Sequence, residues 1–484
     1  MSTLELKNRL PLVRQVELQT VDAAIPLRWH ERALMAVGVF EIPLQIDKYY
    51  MFHSADADLG AVAGINISVT TVAFALLYVF WLIDIAVRYG QAQRIGSAQK
   101  LVIGLPMLFY IGTVVLSLTV AKVKLLALFD VALLIQAYFV FYYLANRVRT
   151  KFDLKFLLAV IFATAIFQSL LMLGQKAIGE SLFGQRFYFG PLALVVWEDG
   201  RTAGSMHSAV LAGSFLATLI LPALAVFITP LKGWLKWAAM ATVVISGLGI
   251  LATQTRGAIL TTGLGSFALV VACLARGWLP KRLIGLGVLI AIVSSIPLAK
   301  VIKDRVQSDD NGSAEARIHL SAIALELIKD KPYFGYGAGN CHLAALKYAD
   351  QARYRSLWYY TVHNKYLLVW IETGLLGLVA FLVMVSTGLR DGFYIWRRRD
   401  RFLAPLGFGF AVAILGQMLH MNVDIFNSRT QVQLLWAMLG AVAAIRVISD
   451  NLKGSEFESE SAENEEIELL PERKAQWAGG SQHG

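Results

Sequence analysis

The chain has 484 residues, of which 57% are apolar and 16% are charged, and its formal net charge is +10. A soluble globular protein carries about 25% charged residues, so this composition favours a membrane protein. The basic residues lie in short loops between apolar runs, whereas nucleic-acid binding needs a basic patch on a folded domain. The only cysteines, Cys273 and Cys341, give neither a disulfide framework nor the ligand spacing of a zinc site. We therefore expect no nucleic-acid partner, no metal and no cofactor.

Residues 1–32 mix acidic and basic side chains without a sustained apolar run, which predicts a cytoplasmic N-terminal arm and no signal peptide. The transmembrane domain is predicted over residues 33–448. Apolar runs that approach the length of about 20 residues needed to cross a bilayer lie near Val62–Val87, Leu101–Ala121, Leu125–Leu144, Phe156–Leu173, Ala209–Ile228, Trp237–Ala252, Ala258–Ala275, Leu283–Val301, Tyr366–Leu389, Leu403–Leu419 and Val432–Ile448. A shorter, interrupted run covers Ala33–Ile46. The sequence thus predicts an all-α polytopic membrane protein of about twelve transmembrane helices, or eleven and one interfacial helix.

Loops rich in lysine and arginine alternate along the chain with loops that have few of them. The basic loops therefore all fall on one side of the membrane, and the positive-inside rule assigns that side to the cytoplasm. The basic loops contain Arg88, Arg94 and Lys100; Arg147, Arg149, Lys151 and Lys155; Lys232 and Lys236; Arg276, Lys281 and Arg282; and Arg390, Arg397, Arg398, Arg399 and Arg401. Two long loops, residues 179–208 and 303–364, are predicted to face the opposite compartment. Residues 449–484 return to the cytoplasm, and their glutamate-rich composition predicts a disordered acidic tail.

The second long loop has about 60 residues, which is longer than a plain connection. Its segment Ala314–Lys331 has apolar residues at helical spacing, which predicts a helix that lies on the membrane surface or beside the spans. The helix is expected to end at Pro332, where a glycine-rich turn around Gly335, Gly337 and Gly339 follows.

Three arginines are candidates for binding an anionic group on the side opposite the basic loops. Arg256 lies between two apolar runs that are joined almost without a loop, and a charge at membrane depth is a functional candidate. Arg201 and Arg317 fall on the same side. A guanidinium donates paired hydrogen bonds to phosphate oxygens, so the three together would suit a pyrophosphate. The alternatives are lipid anchoring for Arg256 and a solvated surface position for Arg317.

His363 lies where the second long loop turns into a span, and its imidazole can accept a proton from a hydroxyl near neutral pH. We predict it as the catalytic residue, although a lone histidine is more often structural. Glu372 follows about 13 Å further along the predicted helix, too far for direct pairing, so it is expected to meet another span. Asp130 and Asp424, at the outer ends of their spans, are secondary candidates like Glu372.

Three stretches of this sequence resemble the O-antigen ligase and polymerase superfamily of bacterial envelope glycosyltransferases. They are Thr253–Ala258; Arg317 with the segment Asp330–Asn340; and His363–Leu367 running into Glu372–Leu378. The stretch around Arg201 is a weaker match. The order of the motifs, their spacing around one large loop and the number of spans agree with that superfamily across Val62 to Ile448.

The resemblance implies a multi-pass protein of the bacterial inner membrane that works on the periplasmic side. It implies transfer of a glycan from undecaprenyl pyrophosphate to an acceptor hydroxyl, without a metal, with His363 as base or acceptor-binding group and Arg256 and Arg317 on the pyrophosphate. The acceptor would be lipid A core for a ligase, a lipid-linked glycan for a polymerase, or a protein hydroxyl. The sequence leaves these branches open, and a transporter of lipid-linked glycans is the alternative of a different class.

Overall fold

The structure is a computed structural model that describes residues 26–90, 101–178, 186–189, 192–195, 201–206, 208–279, 313–348 and 360–452. Its helices are α1 (Trp29–Glu41), α2 (Ser54–Asp58), α3 (Val69–Gly90), α4 (Leu105–Ser117), α5 (Lys124–Arg147), α6 (Lys151–Ile178), α7 (Ala209–Ile228), α8 (Trp234–Thr253), α9 (Arg256–Ala275), α10 (Ser313–Asp330), α11 (Cys341–Ala345), α12 (Lys365–Trp396), α13 (Leu403–His420) and α14 (Arg429–Leu452). Two short antiparallel hairpins pair β1 (Asp47–Tyr50) with β2 (Ile65–Ser68), and β3 (Arg186–Phe189) with β4 (Leu192–Val195).

The predicted fold class is confirmed. In the described part of the chain, nine helices are long and apolar enough to cross a membrane, namely α3, α5, α6, α7, α8, α9, α12, α13 and α14. A tenth apolar helix, α4, has 13 residues, and so has α1. The predicted span Leu283–Val301 lies outside the described residues. The total of about twelve spans therefore stays a prediction.

Two predicted spans are shorter in the structure, for local reasons. The run Val62–Val87 becomes a helix only at Val69, because Ile65–Ser68 pairs with Asp47–Tyr50 as a hairpin. Leu101–Ala121 yields the helix Leu105–Ser117, because Gly104 takes a left-handed conformation with φ 68° just before it. By contrast, the helix predicted over Ala314–Lys331 is confirmed as α10.

The first helix begins at Trp29, within the stretch predicted as an arm, because residues just before and after its start bond to the other helices. The backbone amide of Leu27 donates to the buried carboxylate of Asp153 on α6, and Arg147 on α5 donates to Glu31 at 2.6 Å. Residues 1–25 lie outside the described part, as does the tail beyond residue 452.

The helices form one core in which α12 packs on α13, and α7 packs on α8 and α13. The loop helix α10 belongs to a second, smaller apolar cluster. Its Leu320, Ile323 and Leu327 pack there with Leu368 and Ile371 of α12. This second cluster fixes the long loop on the end of the bundle where α12 begins, and it thereby positions the residues described next.

Candidate active site at one end of the helix bundle

The glycine-rich turn after α10 docks on a break in α12. At Gly374 the backbone leaves the helical conformation, with φ 71° and ψ −175°, and a Cβ there would lie 1.9 Å from the carbonyl oxygen of Tyr333. Across this contact Tyr336 donates its backbone N–H to Ile371 and Gly337 donates to Glu372, both at 2.8 Å. Only glycine permits so close an approach with a positive φ. Two stretches that are separate in the sequence thus form one unit.

The end of the same turn is tied to the connection between α4 and α5. The side chain of Asn340 accepts a hydrogen bond from the backbone of Val123 at 2.8 Å and donates one back to its carbonyl at 3.1 Å. Ala338 donates its backbone N–H to the Ser117 hydroxyl at 3.0 Å. These contacts bring the turn over the first turns of α5, where Asp130 lies.

Glu372, Asp130 and Lys365 form a buried charged group beneath the turn. Glu372 is buried close to the backbone of Gly339 and Cys341, and its charge interacts with those of Asp130 and Lys365. One carboxylate oxygen of Asp130 is buried without a hydrogen-bond partner among the described residues. The structure therefore places Glu372 beside another span, α5, as an apolar helix requires for an internal charge.

Lys365 is a residue that the sequence analysis missed. Its ammonium donates to Asn427 at 2.7 Å and interacts electrostatically with Asp130, Glu372 and Asp424. A signal was present in the sequence, because a lysine that opens an apolar run on the side opposite the basic loops is costly without partners.

His363 lies two residues before α12, and a backbone carbonyl determines which of its ring nitrogens carries the proton. Its Nδ1 is 3.1 Å from the carbonyl oxygen of Thr361, and since a carbonyl only accepts, Nδ1 must carry the proton. The lone pair of the neutral ring is then on Nε2. Burial, and next the charge of Arg317, lower the pKa of His363 below its usual value, against smaller opposite effects of Asp424 and the Thr361 bond. The ring is therefore neutral at neutral pH, as a proton acceptor must be.

Arg317 approaches this histidine from α10. Its charge acts on both His363 and His420, and its Nε is buried without a hydrogen-bond partner in the described part of the chain. His420, at the end of α13, lies 3.7 Å from a carboxylate oxygen of Asp424, which itself accepts a hydrogen bond from Gln431 at 2.5 Å. No local sequence pattern singles out His420, because Arg317 and Gly257 beside it come from other helices.

Arg201 and Arg256 meet at the junction of α8 and α9. Arg201 donates to the carbonyl oxygen of Thr253 at 3.1 Å and to the Thr255 hydroxyl at 3.4 Å. Gln254, with φ 51°, turns the chain sharply, so that α9 begins directly at the exposed Arg256. The next residue, Gly257, leaves room for the His420 ring, because a Cβ there would lie 2.9 Å from Nδ1.

The predicted site residues thus form three neighbouring groups at one end of the bundle. Arg201 and Arg256 share one junction; Arg317 and Asp424 act on both His363 and His420; and Asp130 and Glu372 surround Lys365. The contact between Gly257 and His420 joins the first two groups, and the charge of Lys365 links Asp424 to the third. A cavity of about 340 Å³ lies beside them, and Asp424 is in its wall. Within the described ranges, no cluster of three or more His, Cys, Asp or Glu side chains is arranged to hold a metal ion.

A second feature missed from the sequence is the buried ion pair of Arg429 and Glu41. The guanidinium of Arg429 donates to both carboxylate oxygens of Glu41, at 2.9 and 3.2 Å, and to Asp47 at 3.1 Å. Thr70 donates its backbone N–H and its hydroxyl to the same Glu41 carboxylate. Because its partners are satisfied within the chain, this group links α14, α1 and α3 and differs in kind from the arginines above.

The fold and this end of the bundle define a polytopic all-α membrane protein whose polar site is built from helix ends and one long loop. Residues 241–382, which include Arg256, Arg317, His363 and Glu372, match the model of the O-antigen ligase family Wzy_C. This match supports, over that part of the chain, the resemblance to the O-antigen ligase superfamily that the sequence motifs predicted.

Comparison with solved structures gives a similar chain from a study of how a peptidoglycan synthase complex coordinates polymerization and crosslinking. The two sequences are 16% identical over 72% of this chain and 97% of that one, with a TM-score of 0.37. A search of curated proteins gave no match.

Proposed function

We propose that this protein transfers a glycan from undecaprenyl pyrophosphate to an acceptor hydroxyl at the periplasmic face of the bacterial inner membrane. The observation that carries the proposal is the state of His363, whose Nδ1 is held by the Thr361 carbonyl and whose pKa is lowered by burial and by Arg317. A neutral imidazole with an accepting Nε2 next to a guanidinium combines a base with an anion-binding group.

In the proposed reaction the acceptor oxygen attacks the anomeric carbon of the donor glycan. The new glycosidic C–O bond forms as the bond between the anomeric carbon and the pyrophosphate oxygen breaks, and undecaprenyl pyrophosphate leaves. Nε2 of His363 takes the proton of the attacking hydroxyl. Arg317, Arg256 and Arg201 stabilise the negative charge that develops on the leaving pyrophosphate, because guanidinium groups donate paired hydrogen bonds to phosphate oxygens.

The proposed side of the membrane rests on where the helices begin and end. The site residues lie at the ends of α8 and α13 and at the starts of α9 and α12. The opposite end holds the basic loops, where Lys151 pairs with Asp400 and Arg276 donates to the Arg398 carbonyl. The positive-inside rule assigns that basic end to the cytoplasm, so we assign the site to the periplasm.

The choice between the branches of the superfamily is a question of acceptor. Purified protein in lipid vesicles would be given an undecaprenyl-pyrophosphate-linked glycan together with lipid A core, with a second lipid-linked glycan, or with a protein acceptor. A product on lipid A core identifies a ligase, which is the function we propose, and an elongated lipid-linked glycan identifies a polymerase. Movement of the donor across the membrane without any product would establish the transporter alternative and overturn the proposal.

The same assay tests the expectation that no metal takes part. Transfer measured after treatment with a chelator and extensive dialysis should equal transfer before it, because the proposed steps use only a base and guanidinium groups. Activity that is lost with the chelator and restored by a divalent ion would show that leaving-group stabilisation needs a metal.

A further inference from the structure

A cavity of about 340 Å³ lies next to the candidate site and has no part in the reaction described above. Its walls come from the β1–β2 hairpin, from α5, from the start of α7 and from the segment between α13 and α14. This volume falls near the lower end of the range of about 300–1,000 Å³ that is usual for small-molecule pockets. The cavity is therefore large enough for a small ligand group.

The side chain of Asn66 in the cavity wall makes no hydrogen bond within the described part of the chain. Asn66 is only 7% exposed, yet neither its amide nitrogen nor its amide oxygen has a hydrogen-bond partner among the described residues. Its strand partner Tyr49 brings a hydroxyl near the amide without hydrogen-bond geometry. A buried amide that is left unsatisfied costs stability, so a retained one points to a group that completes its bonds when bound.

The cavity also presents flat aromatic surface to its contents. Tyr49 and Phe52 both line it, with ring centroids 5.3 Å apart, and they are 43% and 52% exposed. A pyranose ring has an apolar face of C–H groups and a rim of hydroxyls. Aromatic rings contact the apolar face, and a carboxamide both donates to and accepts from the hydroxyls. The lining thus suits a sugar better than a lipid chain, which would leave the amide unsatisfied.

The cavity lies near the groups that we propose take part in the transfer reaction. Asp424 lies in its wall and acts electrostatically on His363. Ser208 and Val210 line it at the start of α7, and the carbonyl of Ala209 between them accepts the hydroxyl of Thr255, to which Arg201 also donates. A ring in this cavity would therefore contact Asp424, which acts on the base, and the start of α7, which bonds to the arginine junction.

We propose that this cavity binds one sugar ring of a glycan substrate, and that Asn66 hydrogen-bonds to its hydroxyls. The substrate role of the ring rests on the proposed glycan transfer. The ring belongs either to the donor glycan on undecaprenyl pyrophosphate or to the acceptor glycan, and the binding experiment below separates the two sources.

The test compares Asn66→Leu with the matched control Asn422→Leu, since Asn422 is an exposed asparagine at the same end of the bundle. Binding of three probes to the full chain in detergent would be measured: undecaprenyl pyrophosphate without sugar, undecaprenyl-pyrophosphate-linked glycan from the source cells, and sugar fragments of their acceptor glycolipids. We expect Asn66→Leu to weaken either the linked glycan or the acceptor fragment by about tenfold, the effect of one lost hydrogen bond. Binding of the sugar-free lipid should not change.

The thermal midpoint of Asn66→Leu supplies the second readout. Replacing an unsatisfied amide by an apolar side chain of similar shape should leave the midpoint unchanged or raise it. Unchanged binding of both sugar probes would overturn the sugar site, as would equal weakening of all three probes with a lower midpoint, which is the result of a structural or water-binding role. Sugar binding that depends on Asn66 in a protein that transfers nothing would instead refute the proposed function and leave the sugar site standing.

Discussion

The two ends of the helix bundle use arginine in different ways. At the basic end each of four arginines is paired with a carboxylate on another part of the chain: Arg32 with Asp153, Arg147 with Glu31, Arg398 with Asp450 and Arg446 with Asp391. At the other end Arg317 forms no ion pair with a described carboxylate, and both ring nitrogens of His420 lack a hydrogen-bond partner in the described part of the chain. A buried Nε without a partner is common to Arg317, Arg147 and Arg398, but the last two reach a carboxylate through a terminal nitrogen. The arginines at the basic end therefore connect helices through ion pairs, whereas Arg317 at the site end has no ion-pair partner among the described residues.

Arg429 shows that location alone does not decide this difference. It lies at the site end and lines the cavity, yet Glu41, Asp47 and Gln433 accept hydrogen bonds from all three of its guanidinium nitrogens. A buried ion pair of this kind holds structural elements together. We therefore expect Arg429 to stabilise the fold and Arg317 to act in the transfer reaction, although both lie at the same end of the bundle.

The largest effect is expected from His363→Ala. Removal of a general base usually lowers the rate by about 10²–10⁴-fold, so kcat for glycan transfer should fall by that factor while donor binding changes little. His30→Ala, at the basic end, is the control and should transfer normally. A His363 variant that keeps more than about half of the wild-type kcat would remove the histidine from the proposed mechanism.

Arg429→Met should affect folding more than chemistry. It leaves Glu41 buried without a partner, and breaking a buried pair from one side costs about 3–5 kcal/mol. Arg28→Met removes a bridge to Asp84 from an arginine that is 63% exposed, so its effect should be about 0–1 kcal/mol. Thermal unfolding in detergent measures both variants. Equal midpoints for the two would show that the Glu41 pair does not hold the helices together.

Arg256→Lys should lower transfer by roughly tenfold although the charge is kept, because an ammonium cannot reproduce the paired hydrogen bonds of a guanidinium on phosphate. Arg390→Lys is the matched control, since Arg390 is exposed at the basic end beside Asp391. Arg390→Lys should leave the rate of transfer unchanged. Normal transfer by Arg256→Lys would mean that Arg256 anchors the chain to lipid, and the pyrophosphate site would then have to be sought at Arg201 and Arg317.

Arg317→Gln should shift the pH dependence of transfer. The base must be neutral, so activity falls as pH drops through the pKa of His363, which burial and Arg317 hold below the usual value of about 6.5. Without the arginine charge this pKa rises, and the acidic limb of kcat/KM moves to higher pH. An unmoved limb would show that the arginine charge does not act on the base.

The lowered pKa of His363 also makes the stability of the folded chain depend on pH. As pH falls through about 6.5 the unfolded chain takes up a proton on this histidine before the folded chain does. The stability associated with neutral His363 is therefore present above that pH and is lost below it. Thermal midpoints of wild type and His363→Ala between pH 5 and 7.5 should converge towards the acidic side.

Hydropathy correctly predicted those helices whose limits are set by their own sequence. The span Ala209–Ile228 has the predicted limits, and the helical spacing over Ala314–Lys331 predicted α10 within one residue. It failed where a distant partner decides the conformation. Ile65–Ser68 looks like the start of a span, but its pairing with Asp47–Tyr50 turns it into a strand.

The same distinction applies to the candidate site. Motif resemblance and the rule against isolated charges in membranes indicated Arg256, Arg317, His363 and Glu372. Neither could indicate His420, whose importance depends on the space left by Gly257, or Asn66, whose amide is unsatisfied only because of what surrounds it. The break at Gly374 also follows from a contact with Tyr333 that lies about forty residues away in the sequence, beyond the reach of a local pattern.

The smallest effect is expected from removing the acidic tail. Residues after Asp450 are rich in glutamate and serine, a composition from which we expect no ordered domain. The bonds that fix the end of the last helix involve Asp450 itself, which pairs with Arg398 and accepts from Tyr394. A chain ending after residue 452 keeps these contacts, so it should insert, unfold and transfer like the full chain. Loss of transfer in such a truncated protein, with its thermal midpoint unchanged, would assign the tail a role in activity that its composition does not predict.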